Sequence, residues 1–523
     1  TSDAVGVLSL SVEDVVSRLS DPLRPEIYRT KGLVLGYVQS GKTSHFCGLI
    51  AKAADAGYRL IVVLAGTLEI LRQQTQRRID KHVVGRELLG EEEYGNDWED
   101  FVSHGGRPSE RGRFDWRRLT NFGDDYSRLG SNLPMLEPER VDKSKPFNDH
   151  ANIAHAPAKL GVLKKNPAKL EKLCTDLERL RQLRAELEHV PTLVIDDESD
   201  HASINTISPE NRKPDKERTG TNAQIIRLLN LLPRAQYVGY TATPFANVFV
   251  DPSDGDDLFP KDYIISLPRP DGYMGAADFY DFDEDFENDD YRGNKNAFVR
   301  EVSGSDLEKD NLPRAIDSFI ISGAIKLYRE NQSGGAFRYK HHTMLVHNSA
   351  SVASMTERSK EVEAIFQGGL RYQSADGLHA LKEAFVEYSK VSKIRAMDLP
   401  FPTSFKALEP FVKKCIAKVT EDKAVRIVNG ESQNKDDTPD FDKTAVWAIL
   451  VGGTKLSRGY TVEGLTISYY RRVAGAGDTL MQMGRWFGFR RGYTDLVRLF
   501  IGTEEPRTQK SKRTVDLYEL FKA

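Results

Sequence analysis

The stretch "LVLGYVQSGKTSHF", Leu33 to Phe46, decides how the chain is read. Three apolar residues lead into Gly36, four residues separate it from Gly41, and Lys42 and Thr43 follow. GxxxxGK[ST] is the spacing at which successive backbone N–H groups wrap a phosphate chain. The Lys neutralises its charge and the hydroxyl reaches a magnesium ion. A turn carrying an exposed lysine would satisfy the same letters, so the flanks matter. "KGLVLG" before it has the length and apolarity of a buried strand. "SHFCGLIAKAADAG" after it sets Phe46, Leu49, Ile50 and Ala53 at helical spacing and ends at Gly57, a C-cap residue.

"YRLIVVLAG" then reads as a second strand and "TLEILRQQTQRRID" as a helix, so the order is βαβ and implies a parallel sheet. A phosphate loop that hydrolyses its ligand needs another strand ending in acid, to hold the metal and activate water. "PTLVIDDESDHAS" supplies one: Thr192 to Ile195 form the strand, and Asp196, Asp197, Glu198 and Asp200 lie just past its end. Open α/β sheets place their ligands there. The strand's end leaves open whether Asp196 or Asp197 takes the metal. "AQYVGYTATPFANVF" gives a third strand, ending in Thr241-Ala242-Thr243-Pro244.

A chain of 523 residues calls for two or three domains, each with its own core. A mean hydropathy of −0.49 and the lack of any bilayer-length apolar run speak against a membrane partner. The first residues, TSDAVG, show no basic segment followed by an apolar signal core, so a cytoplasmic location is expected. Cys47, Cys174 and Cys415 stand far apart, with no CxxC pair to suggest zinc or a disulfide framework. A net charge of −3 does not advertise nucleic-acid binding, so any such surface must be local.

GKT, DESD and TATP, in that order, resemble motifs I, II and III of the superfamily-two helicases and translocases. In the second half, "HTMLVHNSA" resembles the first strand of the second lobe. "AVWAILVGGTKLSRGYTVEGLTISYYRR" resembles motif V, and "DTLMQMGRWFGFRRGY" resembles motif VI. Together with "GYVQSGKT", "IDDESDHASIN" and "GYTATPFAN", these segments are similar to the Z1 domain family, from about Lys31 to Phe500. Proteins of this family are commonly named endonucleases and sit in bacterial restriction-like and antiphage gene clusters. Their neighbours there are MORC/MutL-type ATPases, DNA methylases and nucleases.

The resemblance implies an α/β fold of two RecA-like lobes with parallel sheets and helical insertions, hydrolysing ATP at the cleft between the lobes. The implied cofactors are ATP and Mg²⁺, with Gly36, Gln39, Ser40, Gly41, Lys42, Thr43, Gly459 and Gln482 around the nucleotide. Lys42 grips the β/γ-phosphates, Thr43 and Asp197 hold the metal, and Glu198 orients or deprotonates the attacking water. Arg485 and Arg490 are the expected arginine fingers. The pattern departs from the usual one here, since Gly488 stands three residues after Arg485 and either Arg490 or Arg491 could point inward. Thr241 and Thr243 are expected to couple nucleotide state to lobe movement. Gln73, Thr75, Arg77, Lys455 and Arg458 are the expected DNA contacts, made mainly at phosphates.

The expected organisation is an N-terminal segment (1–24), a first lobe (25–251) with an insertion at about 80–190, and an acidic linker (252–311). A second lobe (312–510) follows, with an insertion at about 371–440, and 511–523 begins a C-terminal extension. "GRPSERGRFDWRRLTNF" mixes Arg107, Arg111, Arg113, Arg117 and Arg118 with Phe114 and Trp116. That suits a strand-binding surface and equally a loop anchored by its rings. "KLGVLKKNPAKLEKLCTDLERLRQLRAELEHV" reads as a strand, then a helix beginning after Pro167 whose apolar stripe is Leu170, Leu173, Leu177, Leu180 and Leu187. "DFYDFDEDFENDDYRGN" reads as a solvated acidic loop or a DNA-mimicking or partner-binding segment.

The leading function is an ATP-dependent DNA translocase or helicase-like motor of a bacterial defence complex. Its partners would be DNA and a MORC/MutL-type ATPase, a nuclease or a methylase. The rivals are a DNA endonuclease and an ATP-gated scaffold that recruits one. "TPDFDKTA" resembles only a fragment of a nuclease carboxylate motif, and no second metal site is visible in the sequence.

Overall fold

The computed structural model describes residues 2–523 other than 40, 87–88, 90, 95–99, 103–115, 184–185, 206–217, 249–257, 348–351, 422, 429–437, 453–459, 474–479, 481–482 and 508–512. The chain divides into two units, Thr1–Tyr37 with Gly41–Pro268, and Val38–Ser40 with Arg269–Ala523.

The first unit is built on β1 (Lys31–Leu35), β2 (Leu60–Ala65), β3 (Trp116–Arg118), β4 (Ala158–Lys164), β5 (Thr192–Asp197), β6 (Ala235–Thr241) and β7 (Tyr263–Ser266). The order across the sheet is β3-β4-β2-β5-β6-β1-β7, and every pairing is parallel. Alternation along β2 explains its all-apolar sequence. Leu60, Val62 and Leu64 enter one core, while Ile61 and Val63 enter another.

On the second of these cores lie α1 (Ser2–Val16) and α2 (Lys42–Ala56), with Phe46, Leu49 and Ile50 fully buried. Each such side chain contributes about 2 kcal/mol. Gly57 ends α2, its N–H donating to Ala53 O and Ala54 O. Helix α3 (Glu69–Ile79) follows β2. The other core takes α4 (Pro167–Gln182) and α5 (Gly220–Leu231). Asn166 caps α4 by accepting from Ala168 N, and Pro167 opens it. Leu170, Leu173, Leu177 and Leu180 are its buried stripe, whereas Leu187 lies beyond the helix end in a short turn.

The second unit contains β8 (Tyr273–Met274), β9 (Val299–Val302), β10 (His342–His347), β11 (Val425–Val428), β12 (Trp447–Gly452), β13 (Leu465–Tyr470), β14 (Gly488–Phe489) and β15 (Arg498–Gly502). Six of them form a second parallel sheet, β11-β12-β10-β13-β15-β9, and β8 pairs antiparallel with β14. Helices α6 (Asn311–Gln332), α7 (Val352–Phe366), α8 (Ala375–Arg395) and α9 (Phe405–Thr420) accompany it. The fold is α/β with two parallel sheets, each a RecA-like lobe.

Several segments read as appendages supply sheet strands. β3 and β4 fall inside 80–190 and extend the first sheet at one edge. The 252–311 span is shared: β7 pairs with β1, and β9 pairs with β15. Its acidic stretch is anchored because Phe279 and Tyr280 are buried in the second unit's core, while Asp281 accepts from Asn294 N and Lys295 N. β11, within 371–440, is the edge strand of the second sheet. Apart from β4, which reads as a strand, these are three or four residues long and bordered by polar sequence, so periodicity alone does not separate them from loops.

One buried ion pair ties the second unit together. Arg329 on α6 donates to Asp495 Oδ1 and Oδ2 at 2.8 and 2.7 Å, with both side chains wholly buried. Two of its three other N–H groups reach Pro400 O and Gly492 O, and Ser392 Oγ also donates to Asp495. Asp495→Ala would strand a buried guanidinium, with an expected loss of about 3–5 kcal/mol in urea unfolding. Replacing both partners with apolar residues should recover much of it.

A second prediction concerns pH. Burial alone would raise the Glu387 carboxyl, but Arg300 and Arg498 hold it well below the usual carboxylate range. The folded pKa lies under the unfolded one, so this carboxylate stabilises fully above about pH 5 and loses that contribution as pH falls. Glu387→Gln should flatten the acid limb of stability measured against pH.

Candidate active site

The phosphate-loop sequence leaves β1 at Gly36, whose N–H donates to Thr241 O of β6 at 2.9 Å. Gln39 has φ 55 and Gly41 φ 85, a backbone that brings the chain sharply into α2. Only glycine adopts the conformation at Gly41 without strain, and a Cβ there would project into open space. Lys42 opens α2, 9% exposed, with its Nζ 3.4 Å from Tyr37 O. Thr43 is half-buried. Ser40 lies outside the described residues.

β5 ends in the acidic run, where the two aspartates separate. Asp196 is fully buried, its Oδ1 3.1 Å from Lys165 Nζ and its Oδ2 accepting from Tyr237 OH at 2.6 Å. It is a partner inside the fold. Asp197 is half-buried at the strand's tip. Its carboxyl is pushed up to about 6 by burial and by the Glu198 charge, against the pull of Lys42 and Lys165. A cation beside it would restore the charged form. Glu198 follows with φ 52, an uncommon conformation for a non-glycine residue, and donates its N–H to Asp197 Oδ1 at 3.1 Å.

The loop then closes on β6. Ser199 N donates to Tyr240 O at 2.9 Å, and Asn247 Nδ2 donates to Ser199 Oγ at 3.2 Å. That approach requires Gly239, since a Cβ there would lie 2.8 Å from Ser199 Oγ and 3.1 Å from Leu33 Cδ1. Asp200 bridges the acidic loop and the TATP turn, accepting from Thr241 Oγ1 at 2.8 Å and from Thr243 Oγ1 at 3.0 Å. Thr243 N in turn donates to Thr241 Oγ1 at 2.9 Å. Burial, then the Glu198 charge, raises the Asp200 carboxyl, and the two hydroxyls oppose that shift.

The donor set fits a magnesium triphosphate: an ammonium resting on a loop carbonyl, an open glycine turn, a hydroxyl at Thr43 and a carboxylate at Asp197. Lys165 was missed in the sequence. Its only signal there is the pair Lys164-Lys165 at a strand end, where alternation leaves Lys164 half-exposed and turns Lys165 inward.

The expected nucleic-acid contacts fare differently. Thr75 and Arg77 are buried, 7% and 3% exposed, and Gln73 is half-exposed. In this conformation Thr75 and Arg77 present almost no face to a phosphate. Their neighbour Gln76 packs inside, accepting from Thr120 Oγ1 and donating to Asp80. Trp116, Arg117 and Arg118 form the edge strand β3. Arg117 pairs with Glu139, and Arg118 pairs with Asp80 and Glu93. Arg107, Arg111, Arg113, Phe114, Lys455, Arg458, Gly459 and Gln482 lie outside the described residues.

In the second unit Arg485 and Arg490 are buried, 5% and 2% exposed, while Arg491 is exposed. Arg490 donates to Phe489 O at 2.8 Å and to Trp486 O at 3.1 Å. Trp486 is 1% exposed among Tyr470, Phe487 and Phe521 and pins the segment between the two arginines. Residues 311–522 match the model of the Z1 domain. The match begins at α6 and leaves the first sheet outside it; Arg485 and Arg490 lie within the matched residues.

No curated protein matches the sequence. Among solved structures, S. cerevisiae Dbp5 bound to RNA and ADP BeF3 is 13% identical, with 90% of this chain and 78% of that one covered and a TM-score of 0.38. The helicase MrfA bound to DNA is 11% identical over 90% of this chain and 46% of its own, TM-score 0.42. The ATP-dependent Type ISP restriction-modification enzyme LlaBIII bound to DNA is 11% identical over 95% and 27%, TM-score 0.40. At such values none of these likenesses carries the fold, which stands on the two sheets and the strand order.

Thr241→Val keeps the shape of the side chain but removes a donor to half-buried Asp200 and the acceptor for Thr243 N. A loss of about 1–3 kcal/mol in stability is expected. A variant as stable as the parent would show that the Asp200 bridge contributes nothing.

Proposed function

We propose that the protein is an ATP-driven DNA translocase with a helicase-like core. In this reading ATP is held on the first sheet, and the motor acts within a bacterial restriction-like or antiphage complex. One observation carries the reading: the ends of three adjacent parallel strands, β1, β6 and β5, present GKT, TATP and DESD at one edge, and Asp200 bonds the last two directly.

Lys42 would neutralise the β/γ-phosphates, and Thr43 and Asp197 would hold magnesium. When bound, the ion offsets triphosphate charge and aligns the γ-phosphate. Glu198 would orient the attacking water and take its proton. The Asp200–Thr241–Thr243 bridge would carry the state of that loop into the β6 turn, the step a motor needs to link hydrolysis to movement. Arg485 and Arg490 of the Z1 domain are the proposed arginine fingers. The defence partners, a MORC/MutL-type ATPase, a nuclease or a methylase, follow from the family resemblance.

ATP turnover measured with single- and double-stranded DNA tests the proposal. DNA should stimulate the rate, and Glu198→Gln should lower it by about 10²–10⁴-fold. Lys42→Ala should abolish it, and loss of the finger arginine should cost about 10³–10⁵-fold. A rate that neither DNA form changes would remove the motor reading and favour an ATP-gated scaffold. Magnesium-dependent DNA cleavage that survives Glu198→Gln would assign a nuclease to this chain.

A further inference from the structure

Lys165 is the first residue past β4, 3% exposed, with its N–H donating to Gly66 O just beyond β2. Its ammonium lies under the acidic loop. Nζ is 2.6 Å from Glu198 O, 3.0 Å from His201 O and 3.1 Å from Asp196 Oδ1, with Ser203 Oγ at 3.4 Å. An ammonium has three donors, and they go to Glu198 O, His201 O and Ser203 Oγ, while Asp196 Oδ1 is a charge contact without hydrogen-bond geometry. Two of those oxygens are backbone carbonyls of the loop that bears the proposed general base.

That loop does not hold its shape unaided. Glu198 has φ 52 and Ala202 φ 63, so two non-glycine residues within five positions sit in the left-handed region. Each costs about 1–2 kcal/mol and persists only where the surroundings over-determine it. Serine and asparagine contacts hold the β6 side of the loop. Within the loop, Glu198 O also accepts from His201 N at 2.9 Å and His201 O from Ser203 Oγ at 3.5 Å; from β4, Lys165 Nζ reaches both carbonyls at once.

We propose that Lys165 is a positioning residue: by gripping the carbonyls of Glu198 and His201 it fixes the backbone at Glu198 and so the direction of that carboxylate. The inference rests on the ATPase reading for its effect on rate. The competing role is simple neutralisation of buried Asp196. The two roles separate because a counter-charge is dispensable once Asp196 is uncharged, whereas the carbonyl tethers are not.

The experiment compares the parent with Lys165→Met and with Lys165→Met/Asp196→Asn. The amide introduced by Asp196→Asn would still accept from Tyr237 OH, and the double change leaves no unpaired buried charge, so it guards against failure to fold. Hydrogen exchange is followed in the nucleotide-free protein, then kcat and KM for ATP. In the double variant, amides of 198–203 should exchange at least about tenfold faster while those of β2 stay unchanged. Its kcat should fall about 100-fold, the scale of a small misplacement of a catalytic group, with KM for ATP within about threefold.

Parental exchange in 198–203 overturns the inference whatever the rate does, and so does faster exchange with parental kcat. A parent that turns over no ATP would defeat the ATPase reading instead. Exchange would then still decide whether Lys165 holds the loop.

Discussion

Parallel pairing of β5, β6 and β1 is the constraint from which the rest follows. In register, Leu35 stands opposite Thr241 and Asp197 opposite Tyr240, so the three strands finish together. Both faces of this sheet are covered by helices and packed with apolar side chains, which leaves no face free for polar chemistry. Charged groups must emerge at the strand ends, and the common finish puts a lysine, a carboxylate run and a threonine turn side by side. Short bonds between neighbouring loops, Gly36 N to Thr241 O and Ser199 N to Tyr240 O, then fix their spacing.

That convergence has a cost. Gln39, Glu198 and Ala202 all take left-handed backbone, and Asp196 and Lys165 are charges removed from water. Apolar residues would fill the same volume with less penalty. The arrangement is retained, in physical terms, because a charged group offers directional bonds that a methyl cannot. Asp200 makes the same point, since its two bonds to threonine hydroxyls join two loops through one half-buried carboxylate.

Much of this was legible in the sequence where local pattern and chemistry coincide. Continuous apolar runs gave β1, β2, β5 and β6, helical spacing through Phe46, Leu49 and Ile50 gave α2, and Gly57 marked its end. The parallel sheets followed from the βαβ order. What escaped reading depends on partners far along the chain. β11 is an edge strand whose pairing is invisible locally. Phe279 and Tyr280 are buried although they sit among acids. The choice between Asp196 and Asp197 turns on Lys165 and Tyr237, thirty-one and forty-one positions away from Asp196. Thr75 and Arg77 look like solvated helix residues until the tertiary fold buries them.

The two units, taken separately, use one device to hold a motif loop. In the first, Lys165 sits against the Asp196 charge and spends its donors on Glu198 O, His201 O and Ser203 Oγ. In the second, Arg329 pairs with Asp495 and reaches Gly492 O and Pro400 O, holding the turn that follows Arg490. In both, the carboxylate makes the buried cation tolerable, and the cation's spare N–H groups pin carbonyls that no strand or helix satisfies. Removing the carboxylate alone leaves a stranded charge. Removing both partners relieves the charge and releases the loop. Stability and loop geometry are therefore separable quantities at these two positions, although one side chain governs both.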